Sequence, residues 1–235
     1  MLCGTNMTDI KISNRSAILR LLHEAGAMSR KQIAARLKLT PATITVIINE
    51  LMNESILVEG NSVPNAGAVG RREVMVEISR EKYVALGLAL SQGLVKFTVV
   101  NLHGEIIHEE TFKLPEILTP EYFAETIGRQ IQLKIASYGY SENFIIGIGI
   151  TVCGVVDFAN GIILDSDGIW EEKNVPIVKM FRKQFSFPVI AANNVRSYAN
   201  AYAFLQHDSQ LQNMLFIRNE ATMGCLLYTS DAADD

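Results

Sequence analysis

Thr40, Ala42, Thr43, Thr45, Val46 and Asn49 lie close together in TPATITVIINELMNES. Their side chains suit one chemistry, the reading of base edges in nucleic acid. Asn can pair bidentately with adenine, Thr can hydrogen-bond, and Ala or Val can touch a thymine methyl. Lys31, Arg36 and Lys38 add charges suited to phosphates, contacts that position a protein on a duplex without reading its sequence. Arg71 and Arg72 end the Gly/Asn/Pro-rich stretch GNSVPNAGAVG, where they could reach an adjacent minor groove or simply form a solvated charge pair. Metal chemistry is not indicated. Cys3, Cys153 and Cys225 stand far apart with no CxxC, which fits reduced thiols in a cytosol, and the four histidines are scattered.

Three short helices must position these side chains. In NRSAILRLLHEAG, Ile18, Leu21 and Leu22 recur at helical spacing, and Gly26 stands where a helix ends. SRKQIAARLKL opens with Ser29-x-x-Gln32, the spacing of a capping box, and places Ile33, Ala34 and Leu37 on one face. In the third helix Thr40 is a natural N-cap, Pro41 suits the first position, and Ile44, Ile47, Ile48 and Leu51 form the buried stripe. The second and third helices are separated as in a helix-turn-helix, which puts Ala42, Thr45, Val46 and Asn49 outward. ILVEG and REVMVEIS then read as strands flanking a loop, the wing of a winged helix. A plain three-helix bundle with surface Thr and Asn is the alternative.

Composition agrees with two unlike parts. The chain has 235 residues, 49% of them hydrophobic and 20% charged, with only six prolines, so it can bury a good core and long disorder is not expected. Residues 1–82 hold 11 Lys/Arg against 8 Asp/Glu, a net of +3, whereas residues 83–235 hold 10 against 17, a net of −7. A mildly basic front on an acidic body fits a nucleic-acid reader joined to something else. The longest apolar run, FIIGIGITVCGVV, is shorter than the roughly 20 residues of a membrane span. The start lacks a secretion signal. A soluble, cytoplasmic protein is expected, with no membrane partner.

From Tyr83 the period becomes that of strands. YVALGLAL, LVKFTVVNL and GEIIHEETFKL predict an antiparallel meander with His103-Gly104 as a turn. A helix follows with Phe123, Ile127, Ile131 and Ile135 on one face, then the buried strand of ENFIIGIGITVCG. VVDFANGIIL contains a turn at Ala159-Asn160-Gly161, to which Asp157 is assigned. Helix VPIVKMFRKQF, strand FPVIAANN, helix VRSYANAYAFL and strand NMLFIRNE complete an α/β layered domain. Trp170 is read as a buried anchor or, alternatively, a pocket-edge aromatic.

The stretch NRSAILRLLHEAGAMSRKQIAARLKLTPATITVIINELMNESILVEG, followed by GRRE, resembles the front of the ROK family's transcriptional repressors. The resemblance implies an α/β protein with an N-terminal winged helix-turn-helix. It implies that the second domain is the first half of an actin-like (ribonuclease H-like) ROK sugar-kinase fold. Domains are expected at 1–80 and 81–224. ROK kinases carry Gly-x-Asp-x-Gly-Gly-Thr in the first hairpin; laid on Gly87-Leu88-Ala89-Leu90-Ser91-Gln92-Gly93, its Asp falls on Ala89. Their Asn-Asp pair, whose Asp is the general base, falls on Asn193 and Asn194. An amide has no useful basicity but can hydrogen-bond sugar hydroxyls. Asn193, Asn194 and Gly154, the latter in the family's Gly-Val-Val-Asp stretch, are therefore expected near a sugar. A helix cap for the asparagines and a turn for the glycine remain open.

The resemblance further implies a continuation that contacts sugar through Gly-Glu-x-Gly-His and often holds zinc; no cofactor is expected within these residues. The ending CLLYTSDAADD resembles an in-frame translation of a sequencing adaptor, so residues 225–235 are expected to be a non-native tail on a truncated protein. The expected function is a dimeric repressor of carbohydrate genes that binds operator DNA and a sugar or sugar-phosphate effector, without catalysis. The alternatives are an ATP-dependent sugar kinase with an N-terminal extension, or a winged-helix regulator whose second domain only dimerises.

Overall fold

Leu22, one of the apolar residues repeating at helical spacing, closes the first helix by accepting the Gly26 N–H at 3.0 Å, with Gly26 at φ 75°. That helix, α1 (Met7–Ala25), buries Ile18, Leu21 and Leu22. The computed structural model describes residues 7–60, 73–116, 118–205, 213–219 and 223–229. The chain divides into two units, Met1–Tyr83 and Val84–Asp235.

In the first unit, strand β1 (Met28–Ser29) leads directly into α2 (Arg30–Leu37). The capping box forms as its spacing requires: Ser29 Oγ accepts from the Gln32 N–H at 3.3 Å and Gln32 Oε1 accepts from the Ser29 N–H at 2.8 Å. Lys38 closes α2 in the left-handed conformation, φ 54°, and its N–H reaches the Ala34 carbonyl. Helix α3 (Pro41–Asn53) starts at the Thr40 cap, whose hydroxyl accepts from the Thr43 N–H at 3.2 Å. Its stripe Ile44, Ile47, Ile48 and Leu51 is buried together with Ile33 and Ala34 of α2, while Leu37 is only half-buried. Strands β2 (Leu57–Glu59) and β3 (Met75–Ile78) pair antiparallel, and β1 adds to β3 to give the order β1-β3-β2. This is a winged helix-turn-helix.

In the second unit, β4 (Val84–Ser91), β5 (Leu94–Asn101) and β6 (Ile106–Lys113) form the expected meander. Strand β7 (Ile145–Val152) lies parallel to β4, and β10 (Val189–Asn193) lies parallel to β7, so the sheet order is β10-β7-β4-β5-β6. Side chains alternate across a strand. Leu86, Leu88, Leu90, Val95, Phe97, Ile148 and Ile150 therefore fill one face, packed with Phe123, Ile127, Ile131 and Ile135 of α4 (Pro120–Ser137). Trp170 is buried in that core, its ring centroid 5.7 Å from that of Phe123. It is an anchor.

A two-stranded ribbon, β8 (Val155–Asp157) and β9 (Ile162–Asp165), follows β7, and Asp157 accepts the Asn160 N–H at 3.1 Å within its turn. Helix α5 (Ile177–Phe181) is shorter than VPIVKMFRKQF predicts, because Pro176 precedes it and Gln184 turns back onto the Phe181 carbonyl. Helix α6 (Asn194–Leu205) starts directly at the end of β10. Strands β11 (Asn213–Asn219) and β12 (Met223–Thr229) make an antiparallel hairpin. Residues 225–229 thus pair regularly with 213–217, although the sequence predicts no periodic structure beyond Cys225. CLLYT is rich enough in apolar side chains to complete a strand, whatever its origin.

Candidate nucleic-acid interface and ligand cavity

The Ile stripe of α3 points inward, so helical geometry forces Ala42, Thr45, Val46 and Asn49 outward. All four are exposed, and Val46 leaves 56% of its surface to solvent. Thr40 and Thr43 serve the helix first: their hydroxyls lie 2.9 Å apart within the N-cap. Thr45 donates its hydroxyl hydrogen to the Pro41 carbonyl at 2.8 Å, which leaves its oxygen lone pairs outward. Lys31, Arg36 and Lys38 are exposed on α2 and its cap. Arg71 and Arg72 lie outside the described residues.

Two features of this unit carry no local signal in the sequence. Arg30, the first residue of α2, sends its guanidinium to Asn49 on α3 rather than outward, with Nη2 3.4 Å from Asn49 Oδ1. In addition, Ile10, Lys11 and Asn14 of α1 border Ala42, Val46 and Glu50 of α3 around a groove of about 440 Å³. Lys11 pairs with Glu50 at 2.8 Å and Arg15 donates to Glu54 through Nη1 at 2.9 Å, so α1 is tied to both ends of the last turns of α3. The hydrogen bond from Arg15 holds the Glu54 carboxyl below its usual range, and the Arg15 guanidinium is correspondingly pushed up.

The second unit has a cavity of about 190 Å³ on the sheet face opposite α4. Its walls include Ala89 and Lys96, which are cross-strand partners, and Thr98, Thr151, Asn194 and Tyr198. The fold therefore brings Ala89 of β4 and Asn194, the first residue of α6, to one cavity although they are far apart in sequence. Among the described residues lining the cavity there is no carboxylate, and the one cation, Lys96, pairs with Glu109 at 3.2 Å. Hydroxyls and amides of this kind bind polar ligands; they do not abstract protons near neutral pH. Lys96, Thr98, Thr151 and Tyr198 are not legible in the sequence as site residues. The available signal was alternation, since they face the same side as Ala89 or lie one helical turn beyond Asn194.

Asn193 holds the rim of this region. Its Nδ2 donates to the Gly154 carbonyl at 2.7 Å, and its Oδ1 accepts the N–H groups of Val195 at 2.8 Å and Arg196 at 3.2 Å. It caps α6 and fastens β10 to the Gly154 turn, so both ends of its amide are engaged within the fold. Asn194 is buried to 8% exposure but lines the cavity. The β4–β5 turn is Gln92-Gly93, with Gly93 at φ 74°. The Gln92 amide nitrogen sits over Gly168, only 2.7 Å from where a Cβ there would be. Gln92 itself is exposed, so the turn carries a bulky amide side chain at its surface. Among the described residues, no three His, Cys, Asp or Glu gather as metal ligands, and no helix is long and apolar enough to cross a membrane.

Comparison with known proteins agrees with both units. A profile described as winged helix-turn-helix DNA-binding matches residues 13–58, and one described as the ROK family matches residues 86–225. The chain is 26% identical over 213 residues to the DNA-binding transcriptional dual regulator NagC of Escherichia coli K12, covering 91% of this chain and 52% of that protein. It is 23% identical to the xylose repressor of Caldicellulosiruptor bescii, covering 90% of this chain and 52% of that protein. The chain thus spans about half the length of the curated relatives it matches. Among solved structures, a ROK family transcriptional regulator, homologous to the E. coli Mlc protein, superposes with a TM-score of 0.77 at 23% identity, over 94% of this chain and 55% of that one. A ROK glucokinase from Streptomyces griseus matches the fold over 63% of this chain and 45% of its own, with a TM-score of 0.51 at 17% identity. At these identities the superpositions speak to the fold alone. With its profile covering more than half of the residues, the chain belongs to the ROK family.

Proposed function

We propose that this chain is the DNA-binding and first sensing portion of a sugar-responsive transcription regulator that controls carbohydrate genes as a homodimer. The observation that carries the reading is the capped helix α3, which buries its isoleucines and leaves Ala42, Thr45, Val46 and Asn49 exposed in a winged helix-turn-helix. The repressor and regulator names of the relatives support it. In the second unit, Asn194 and Ala89 stand where ROK kinases are expected to carry acids, so the cavity is suited to hold a sugar or sugar phosphate without transferring phosphate. Ligand binding would favour the state with lower DNA affinity and shift the population off the operator.

The test is binding of the chain to duplex DNA carrying the region upstream of its own gene. Specific binding that weakens steeply between 50 and 200 mM salt, on the order of 10³-fold for six phosphate contacts, is expected. In the protein carrying its complete ROK domain, one member of a sugar and sugar-phosphate panel should lower that affinity. ATP turnover on adding sugar would sink the non-catalytic reading, and indifference of operator affinity to every sugar would leave the second unit a dimerisation domain.

A further inference from the structure

We infer that Arg30 determines base specificity by acting through Asn49, fixing which edge of the Asn49 amide is offered to DNA; this rests on the DNA-reading role proposed above. Arg30 opens α2, yet its side chain leaves that helix and bridges to two other elements. Its Nη2 lies 3.4 Å from Asn49 Oδ1 and 3.4 Å from Met52 Sδ, both on α3, and 3.9 Å from Glu59 Oε1 on β2. Each contact is long, and weak by itself. All three contacts converge on Nη2, a reach that the ammonium of lysine, one bond shorter, does not reproduce. Only 29% of the Arg30 side chain is exposed, so its guanidinium is held within the crevice between the helices and the strand leading to the wing.

The chemistry of the pair fixes its orientation. A guanidinium only donates, so the Asn49 atom facing it is the carbonyl oxygen and the NH2 group is directed elsewhere. An asparagine with both groups available meets adenine bidentately, accepting from N6 and donating to N7. With its carbonyl engaged by Arg30, Asn49 offers donors, and the matching edge is the O6 and N7 acceptor pair of guanine. Arg30 is thus a positioning residue that turns an adenine-type reader toward guanine.

In vitro selection from a randomised duplex library, run with the 235-residue chain and its Asn49→Ala, Arg30→Ala and Arg30→Lys variants, tests this. N49A identifies the base pair concerned, because preference should vanish there and persist elsewhere. The wild-type chain should prefer guanine at that pair. R30A should raise the adenine-to-guanine ratio there by roughly tenfold while leaving other positions unchanged. R30K keeps the charge and should shift the same ratio in the same direction, which decides the matter if R30A folds poorly. A wild-type preference for adenine overturns the inference, as does an R30K or R30A that weakens all sequences alike with the ratio unchanged. The same holds if N49A erases no preference. If the wild-type chain enriches no sequence, the DNA-reading proposal itself fails and takes this one with it.

Discussion

Gly154 sits at φ 123°, and a Cβ there would lie 2.1 Å from the Asp165 carbonyl oxygen, so the position excludes every other residue on two grounds. Gly154→Ala is expected to cost about 3 kcal/mol, the cost of forcing a strained backbone and displacing a neighbouring strand. Urea denaturation with the second unit's signal would measure it, and a loss under about 1 kcal/mol would show that the turn gives way easily. The effect should extend beyond stability, because the Gly154 carbonyl accepts from Asn193 and Asn193 caps the helix that begins with Asn194. At this scale the sequence was legible in part. The family resemblance pointed to Gly154, Asn193 and Asn194, but only the fold shows that Asn193 spends both ends of its amide on the scaffold, whereas Asn194 lines the cavity while its Oδ1 accepts the Val195 N–H. Arg30 was opaque for a related reason: a guanidinium that crosses between helices leaves no periodic trace.

Helices α1 and α3 are joined at the surface by Arg15–Glu54 and Lys11–Glu50, and the first of these contacts is sensitive to acid. Glu54 titrates below its usual value because Arg15 hydrogen-bonds the carboxylate, so its folded pKa is lower than its unfolded one. The stabilisation is therefore complete above the unfolded value of 4.5 and is lost as pH falls through the lower folded value. Both side chains are partly solvated, which screens the pair to on the order of 0.5 kcal/mol. Thermal midpoints of wild type and Glu54→Gln should differ near pH 7 and converge once the pH falls below the lowered folded pKa of Glu54, where the carboxyl is protonated in both states. A difference that persisted with Glu54 fully protonated would assign the effect to packing. The helices themselves were legible because their determinants are local: the capping box, the Thr40 cap and the isoleucine stripe each lie within a few residues. The cavity was not, since its walls come from β4, β5, β7 and α6 and meet only through sheet register. Strand β12 was missed because a break in composition at Cys225 outweighed a short apolar run.

Over the whole molecule, charge is divided between a front of +3 and a remainder of −7. DNA carries roughly one negative charge per 1.7 Å of axis, so the acidic portion opposes association at long range. That repulsion is screened beyond a Debye length of about 10 Å at 0.1 M salt, whereas direct phosphate contacts release counterions and give a linear dependence of log Kobs on log salt. The two effects have opposite sign, and a single slope for the wild-type chain mixes them. Single substitutions separate them, because each variant changes the long-range charge only slightly. Lys31→Ala, Arg36→Ala and Lys38→Ala each remove one exposed cation placed for phosphate contact. Each should make the slope shallower by about 0.9 for every copy of that residue on the duplex. A step of about 0.9 then means one winged helix bound per site, and about 1.8 means two, the outcome expected of a homodimer on a two-fold operator. Equal slopes for all three variants and the wild type would mean that these cations do not touch phosphate, and that the front unit meets DNA through another face.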